Sequence, residues 1–61
     1  MSENIKKLIN AAWYELQEHE DGFNLYMEIQ SDLQGMSEEE SYRYLYTYKF
    51  LQKYFLKFGI I

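Results

Sequence analysis

Residues 37–59 carry the signals of a complete helix, and these signals constrain the fold more than any other part of the chain. Ser37 and Glu40 fit the capping box S-x-x-E, in which each side chain bonds the other residue's backbone amide at a helix start. Gly59 fits the position just after a helix, where glycine adopts a left-handed conformation without steric cost. We therefore predict one helix over about residues 38–58.

The tyrosines inside this segment offer a second interpretation. Residues 42–50 read YRYLYTYKF, with a tyrosine at every second position, and a period of two is typical of a half-buried strand. Such a strand would have no second strand to pair with. The helix instead collects one continuous apolar stripe: Tyr44, Tyr48, Leu51, Phe55 and Phe58. We keep the helix, and we expect Tyr44 and Tyr48 in the core with their hydroxyls at its rim.

The first half of the chain predicts two further helices. Apolar residues recur at helical spacing: Ile5, Leu8, Ile9, Ala12, Trp13 and Leu16. They predict a helix over about residues 3–20 with Ser2 as its N-cap. Asp21-Gly22 is a turn signal, and a second helix over about residues 23–34 then ends at Gly35. Phe23 and Met27 stay in phase with the first stripe, so one bent helix over 3–34 remains the alternative.

Length and composition limit how such helices can be stabilised. The 61 residues allow one domain, and the absence of cysteine excludes disulfides and thiolate metal sites. The predicted fold is all-α, a small antiparallel helical hairpin or a three-helix bundle over residues 1–61. Hydrophobic residues make up 48% and aromatic residues 20% of the chain. A domain of this size has little interior in which to bury so much apolar surface. We therefore expect self-association through the third helix, as a homodimer.

The sequence contains no catalytic signature. It has no Ser-His-Asp arrangement, no glycine-rich phosphate loop and no HExxH motif. A single histidine and carboxylates spread along the helices do not form a metal or acid–base site. We expect no enzyme, no catalytic residues, no metal and no cofactor. The absence of a leader and of an apolar run of membrane-spanning length predicts a cytoplasmic protein that does not enter membranes.

The aromatic residues outside the predicted core stripe suggest a binding role. On a helix they fall on two opposite flanks of the stripe, and they are Tyr42, Tyr46, Phe50 and Tyr54. Tyrosine is enriched at protein–protein hot spots because it offers a large apolar area and a polar tip. The predicted function is a small interaction module, a regulator or inhibitor that docks this aromatic helix face onto a partner protein.

Charge is divided between the two halves of the chain and supports an alternative function. All ten acidic residues lie in residues 1–40, which carry a net charge of −8, whereas residues 41–61 carry +4. The basic residues of the third helix are Arg43, Lys49, Lys53 and Lys57. They predict, as the alternative, a dimeric helical regulator that binds nucleic acid through phosphate contacts. Mimicry of nucleic acid by the acidic helices also remains open, as does mutual neutralisation of the two halves by antiparallel packing.

A short pattern in the middle of the chain resembles known helical hairpins. Leu33-x-x-Met36-Ser37-Glu38, followed by an amphipathic helix, is similar to the adaptor NblA of phycobilisome degradation and to the RNA-binding Rop hairpin. The resemblance covers about half of the chain. It implies a helical hairpin, and no functional residue carries over from either family.

Overall fold

Four α-helices make up most of the computed structural model, which describes residues 2–60. Helix α1 spans Glu3–Leu16, α2 spans Gly22–Leu33, α3 spans Glu38–Tyr46 and α4 spans Lys49–Lys57. Residues 2–60 contain no strand, so the prediction of an all-α fold is confirmed. The radius of gyration is 10.8 Å, close to the value of about 10.5 Å expected for a compact domain of this length.

The first helix starts as predicted but ends earlier. The Ser2 hydroxyl accepts a hydrogen bond from the Ile5 amide at 3.2 Å, which caps α1. After Leu16 the chain forms tight turns, in which the His19 amide donates to the Leu16 carbonyl and the Gly22 amide donates to the His19 carbonyl. The helix predicted to about residue 20 is therefore four residues too long, and the single bent helix over 3–34 does not form.

Gly22 allows α1 and α2 to approach each other at this turn. Gly22 is buried, and a Cβ atom placed on it would lie 1.7 Å from the carbonyl oxygen of Leu16. No other residue fits this contact without a shift of the backbone. Gly35, with φ of 90°, lies beyond the end of α2 in the left-handed conformation that glycine favours.

The capping box forms, but the long third helix does not. The Glu40 amide donates to the Ser37 hydroxyl at 3.2 Å, and the Ser37 amide donates to the Glu40 carboxylate at 3.2 Å. The helix predicted over 38–58 is wrong in its middle, because the chain leaves the helical path at Thr47 and Tyr48. Tyr48 is extended, with φ of −87° and ψ of 113°.

A local hydrogen bond and the position of the core explain this break between α3 and α4. The Thr47 hydroxyl donates to the Tyr44 carbonyl at 2.6 Å, the kind of side-chain bond that competes with helical bonding. In addition, Leu45 and Leu51 are both fully buried, although residues six apart on one straight helix point about 120° away from each other. Bending the chain between them lets both leucines reach the same core.

Helix α1 lies against each of the other helices and supplies half of the core. The core residues are Ile5, Leu8, Ile9, Ala12, Leu16, Ile29, Leu33, Leu45, Leu51 and Phe55. The accessible surface is 4428 Å², near the value of about 4,200 Å² for a folded monomer of this mass. One copy therefore buries a normal amount of surface by itself. None of the helices in residues 2–60 combines the length and the hydropathy needed to cross a membrane.

Candidate interaction surfaces

Tyr44 and Tyr48 lie at the rim of the core and bond each other. Their hydroxyl oxygens are 2.9 Å apart, and the Tyr44 hydroxyl donates to the Asp32 carboxylate of α2 at 2.7 Å. The rings meet edge to face with centroids 5.5 Å apart. Burial, followed by the bonds to Tyr48 and Asp32, raises the pKa of the Tyr44 phenol far above its usual value. This pair ties α2 to the break between α3 and α4.

The four aromatic residues predicted to bind a partner do not share one face. Tyr42 and Tyr46 lie on α3, whereas Phe50 and Tyr54 lie on α4, beyond the break. Tyr46 is 42% exposed, and the other three are half-buried. Phe50 contacts the ring of Tyr48 with centroids 6.0 Å apart. The predicted aromatic face is thus divided: Tyr42 and Tyr46 line one groove, Tyr54 lines another, and Phe50 lines neither.

The first surface is an open groove of about 660 Å³ beside α3 and the end of α4. We call it the α3–α4 groove, and its lining residues are Asn4, Tyr42, Arg43, Tyr46, Phe55, Gly59 and Ile60. Phe55 is almost fully buried. Edge-to-face contacts join its ring to Tyr46 and Tyr42, at centroid distances of 5.0 and 6.4 Å. The walls of the groove are therefore mainly aromatic.

Hydrogen bonds hold one of these two tyrosines in place. The Tyr42 hydroxyl donates to the Glu38 carboxylate at 3.2 Å and lies 3.3 Å from the Ser2 hydroxyl at the start of α1. Tyr46 is more exposed, and its ring is positioned by Phe55. The groove thus combines a fixed wall at Tyr42 with an accessible aromatic side chain at Tyr46.

The second surface is a groove of about 440 Å³ between α1 and α4. We call it the α1–α4 groove, and its lining residues are Lys7, Asn10, Ala11, Tyr14, Tyr54, Lys57 and Phe58. The rings of Tyr54 and Phe58 stack with centroids 5.8 Å apart, and the Lys7 amine lies 5.9 Å from the centre of the Phe58 ring. Within residues 2–60, two lysines and no carboxylate line this groove.

Glu15 closes a polar cluster next to the α1–α4 groove. Its carboxylate accepts from the Lys53 amine at 2.8 Å and from the Tyr54 hydroxyl at 3.1 Å. The bonds to Lys53 and Tyr54 lower the pKa of the Glu15 carboxyl, and the bond to Glu15 raises the pKa of the Lys53 amine. Tyr54 therefore contributes to joining α1 and α4 through residues 39 positions apart in sequence.

A third surface was not predicted from the sequence. We call it the Trp13 patch, and it consists of Trp13, Phe23 and Met27, which are 36%, 60% and 47% exposed. The Trp13 ring meets Phe23 edge to face at 6.2 Å and also contacts the half-buried Tyr26 at 5.0 Å. The sequence indicated this patch in one way: Phe23 and Met27 lie in helical phase with the apolar stripe of α1. Leu56 of α4, which is 72% exposed, was also missed.

The four predicted basic residues are separated in the same way as the aromatic ones. Arg43 lies on α3 and forms an ion pair with Glu39 at 3.0 Å, and Lys53 is paired with Glu15. Lys49, Lys53 and Lys57 recur every fourth residue of α4, on one side of that helix. Lys49 and Lys57 are exposed and form no ion pair within the described part of the chain.

The structure groups no residues into a site for metal chemistry. Among residues 2–60, no three His, Asp or Glu side chains lie close enough together to hold a metal ion. Every buried side-chain oxygen or nitrogen in the same range has a hydrogen-bond partner. The candidate binding surfaces include the two grooves, the Trp13 patch and the lysine row of α4.

Comparisons with known proteins do not relate the chain to a family. No protein-family model matches it, and neither the curated proteins nor the solved structures contain a match. The function therefore has to be argued from the surfaces of this molecule.

Proposed function

We propose that this chain is a small protein-interaction module, a regulator or inhibitor, that docks onto a partner protein through the α3–α4 groove. The observation that supports this proposal is the aromatic groove of about 660 Å³. A chain of 61 residues that already buries a normal amount of surface still leaves this concave apolar surface open. We further propose that the protein works in the cytoplasm and forms a homodimer.

The groove suits a protruding apolar side chain of the partner. Such a side chain would insert between Tyr42 and Tyr46 and rest against the edge of Phe55. Tyr42 is held by Glu38 and Ser2 before binding, so less side-chain freedom is lost on docking. The exposed ion pair of Arg43 and Glu39 at the rim contributes little to stability, and Arg43 can turn to a carboxylate of the partner.

The experiment is affinity capture from the cells that produce the protein, with a matched pair of variants. Tyr46→Ala removes the accessible wall of the α3–α4 groove, and Leu56→Ala removes an apolar side chain that is 72% exposed outside it. We expect a captured protein, identified by mass spectrometry, that is lost with Tyr46→Ala and retained with Leu56→Ala. Circular dichroism confirms that both variants are folded. Capture of the same proteins by both variants would reject the groove.

Nucleic-acid binding is the second candidate function, because one side of α4 presents a row of lysines. Lys49 and Lys57 are exposed there without an ion pair within the described residues. Fluorescence anisotropy with a labelled single-stranded oligonucleotide tests it. This function predicts an affinity that falls steeply as the salt concentration rises. It also predicts that the double substitution Lys49→Gln/Lys57→Gln lowers the affinity for every sequence tested. Absence of binding at low salt would exclude this function.

A further inference from the structure

Two of the surfaces lie on either side of the exposed face of α1. Trp13 carries one of them, toward α2, and Lys7 carries the other, toward α4. These two side chains point about 120° apart around the helix axis, with Asn10 midway between them. Tyr14, which is 76% exposed, lies on the same face. One flat contact on α1 can therefore cover the Trp13 patch and the α1–α4 groove together.

Exposed acidic residues lie close in sequence to the α2 residues of the Trp13 patch. Glu20 and Asp21 come shortly before Phe23, Glu28 directly follows Met27, and all three acids are exposed. Residues 8–42 contain no lysine and no arginine. The nearest lysine on the same side of α1 is Lys6, seven residues before Trp13 and about 10 Å away along the helix.

The α1–α4 groove has the opposite charge. Among the described residues, Lys7 and Lys57 line the groove without an ion pair, no carboxylate lines it, and Glu15 beside it is paired with Lys53. Between the two amines are the apolar surfaces of Ala11 and of the stacked rings of Tyr54 and Phe58. An apolar surface with an acidic border, such as the Trp13 patch, complements this groove in both charge and polarity.

Symmetry allows both contacts to form at once. In a dimer whose two-fold axis runs parallel to α1, the α2 side of one copy faces the α4 side of the other. The Trp13 patch of each copy then lies over the α1–α4 groove of its partner, and the two contacts are equivalent. The same two-fold rotation places the partner copy over Tyr14, the exposed tyrosine in the centre of the face.

The size of a stable interface also favours the whole face. A standard interface takes about 800 Å² from each partner, roughly a fifth of the 4428 Å² surface of this molecule. The exposed parts of Trp13, Phe23 and Met27 amount to only roughly 300 Å². The patch alone is too small, so a stable dimer must also bury the centre of the α1 face and the groove.

We propose that two copies of this chain associate through the exposed face of α1, with the acid-bordered Trp13 patch of each copy seated on the lysine-lined α1–α4 groove of the other. The occupant of both surfaces is a second copy of the chain. This assignment rests on the proposed homodimer and names its surfaces. It leaves the α3–α4 groove free for the partner protein, so the two sites are tested separately.

Analytical ultracentrifugation of the purified chain provides the first test, with two matched single variants. Lys57→Glu reverses a charge in the groove, and Lys49→Glu makes the same change two turns earlier on α4, outside it. We expect the wild type and Lys49→Glu to form a dimer that does not grow further. Lys57→Glu should raise the dimer dissociation constant about tenfold at low salt. A wild-type chain that stays monomeric to about 1 mM, or equal dissociation constants for both variants, would overturn the proposal.

A charge exchange provides the second test and guards against a general effect of net charge. Lys7→Glu/Lys57→Glu makes the groove acidic, and Glu20→Lys/Glu28→Lys makes the border of the patch basic. Each double variant alone places like charges opposite each other and should be monomeric, whereas an equal mixture should restore a mixed dimer. A mixture that remains monomeric while both chains are folded by circular dichroism would refute the pairing. Partner capture through Tyr46 can succeed or fail independently of either result.

Discussion

Replacing Gly22 with alanine should destabilise the protein, although the same change near a helix start is normally harmless. In an unstrained position, Gly→Ala stabilises by about 0.4–1 kcal/mol because alanine has less freedom in the unfolded chain. At Gly22 the added Cβ would lie 1.7 Å from the Leu16 carbonyl oxygen and 2.6 Å from its carbon. Both are backbone atoms, so rotation of a side chain cannot relieve the overlap.

The expected loss follows from how far the backbone must move. An ordinary contact at this position begins near 3.4 Å, so the turn between α1 and α2 must open by more than 1.5 Å, an overpacking that costs about 3 kcal/mol or somewhat more. After subtraction of the gain in the unfolded state, we expect a net loss of about 2–3 kcal/mol. A domain of 61 residues has a total stability of about 3–9 kcal/mol, so this loss would remove a large part of it.

Urea denaturation followed by circular dichroism measures this loss, and the two other glycines serve as controls. Gly35 and Gly59 have φ of 90° and 72°, with nothing within 4 Å of an added Cβ. Alanine at either position should cost about 1–2 kcal/mol, from the left-handed conformation alone. We expect Gly22→Ala to be the least stable of the three variants. If it were as stable as the wild type, the close packing of Gly22 on Leu16 would be incorrect.

Four further substitutions probe other parts of the fold. Ser37→Ala removes the hydroxyl of the capping box and should lower the free energy of unfolding by about 1 kcal/mol in the same urea assay. Leu51→Ala opens a cavity at a fully buried position and should cost about 3 kcal/mol, whereas Leu56→Ala on the exposed side of α4 should change stability by less than about 0.5 kcal/mol. The raised pKa of Tyr44 means that the folded state holds this phenol proton more tightly than the unfolded state. The stabilisation that the protonated Tyr44 phenol gives the folded state is therefore complete below about pH 10 and is lost at higher pH. In thermal melts from about pH 9 to 11, Tyr44→Phe should lose less stability than the wild type.

Local signals in the sequence predict the starts of α1 and α3 because the residues that determine them are adjacent. Ser37 and Glu40 form their capping box through contacts within three residues, and Ser2 caps α1 in the same way. Gly35 and Gly59 adopt the left-handed conformation expected just after a helix. None of these features depends on distant parts of the chain.

The break at Thr47 and Tyr48 could not be predicted because its main cause is non-local. Leu45 and Leu51 have to reach a core built mostly by α1, and nothing within residues 38–58 states where that core lies. The Thr47 hydroxyl assists the break, but threonine occurs within helices too. The break changes both candidate sites, since it divides the predicted aromatic face and separates Arg43 from the three lysines of α4.

The Trp13 patch shows a different limit of the sequence. The apolar stripe of α1 contains Trp13 alongside true core residues, and periodicity alone does not distinguish a side chain at the edge of the stripe from one at its centre. In the structure, α2 starts at Gly22 and places Phe23 against the tryptophan ring without covering it. Exposure at the edge of a stripe thus depends on the crossing of two helices, which the sequence does not encode locally.

The pairing of the first helix with the last one determines when this protein can fold. Glu15 bonds Tyr54, and Ser2 lies next to Tyr42, so contacts that hold α1 in place join residues 39 and 40 positions apart. At about 5–20 residues per second, synthesis of the chain takes roughly 3–12 s, whereas small helical domains fold in microseconds to milliseconds. Until Leu51 and Phe55 have been added to the nascent chain, the apolar stripe of α1 stays uncovered by α4. Folding must therefore follow the synthesis of α4, and a chain that stops before Leu51 would leave that stripe exposed to chaperones and proteases.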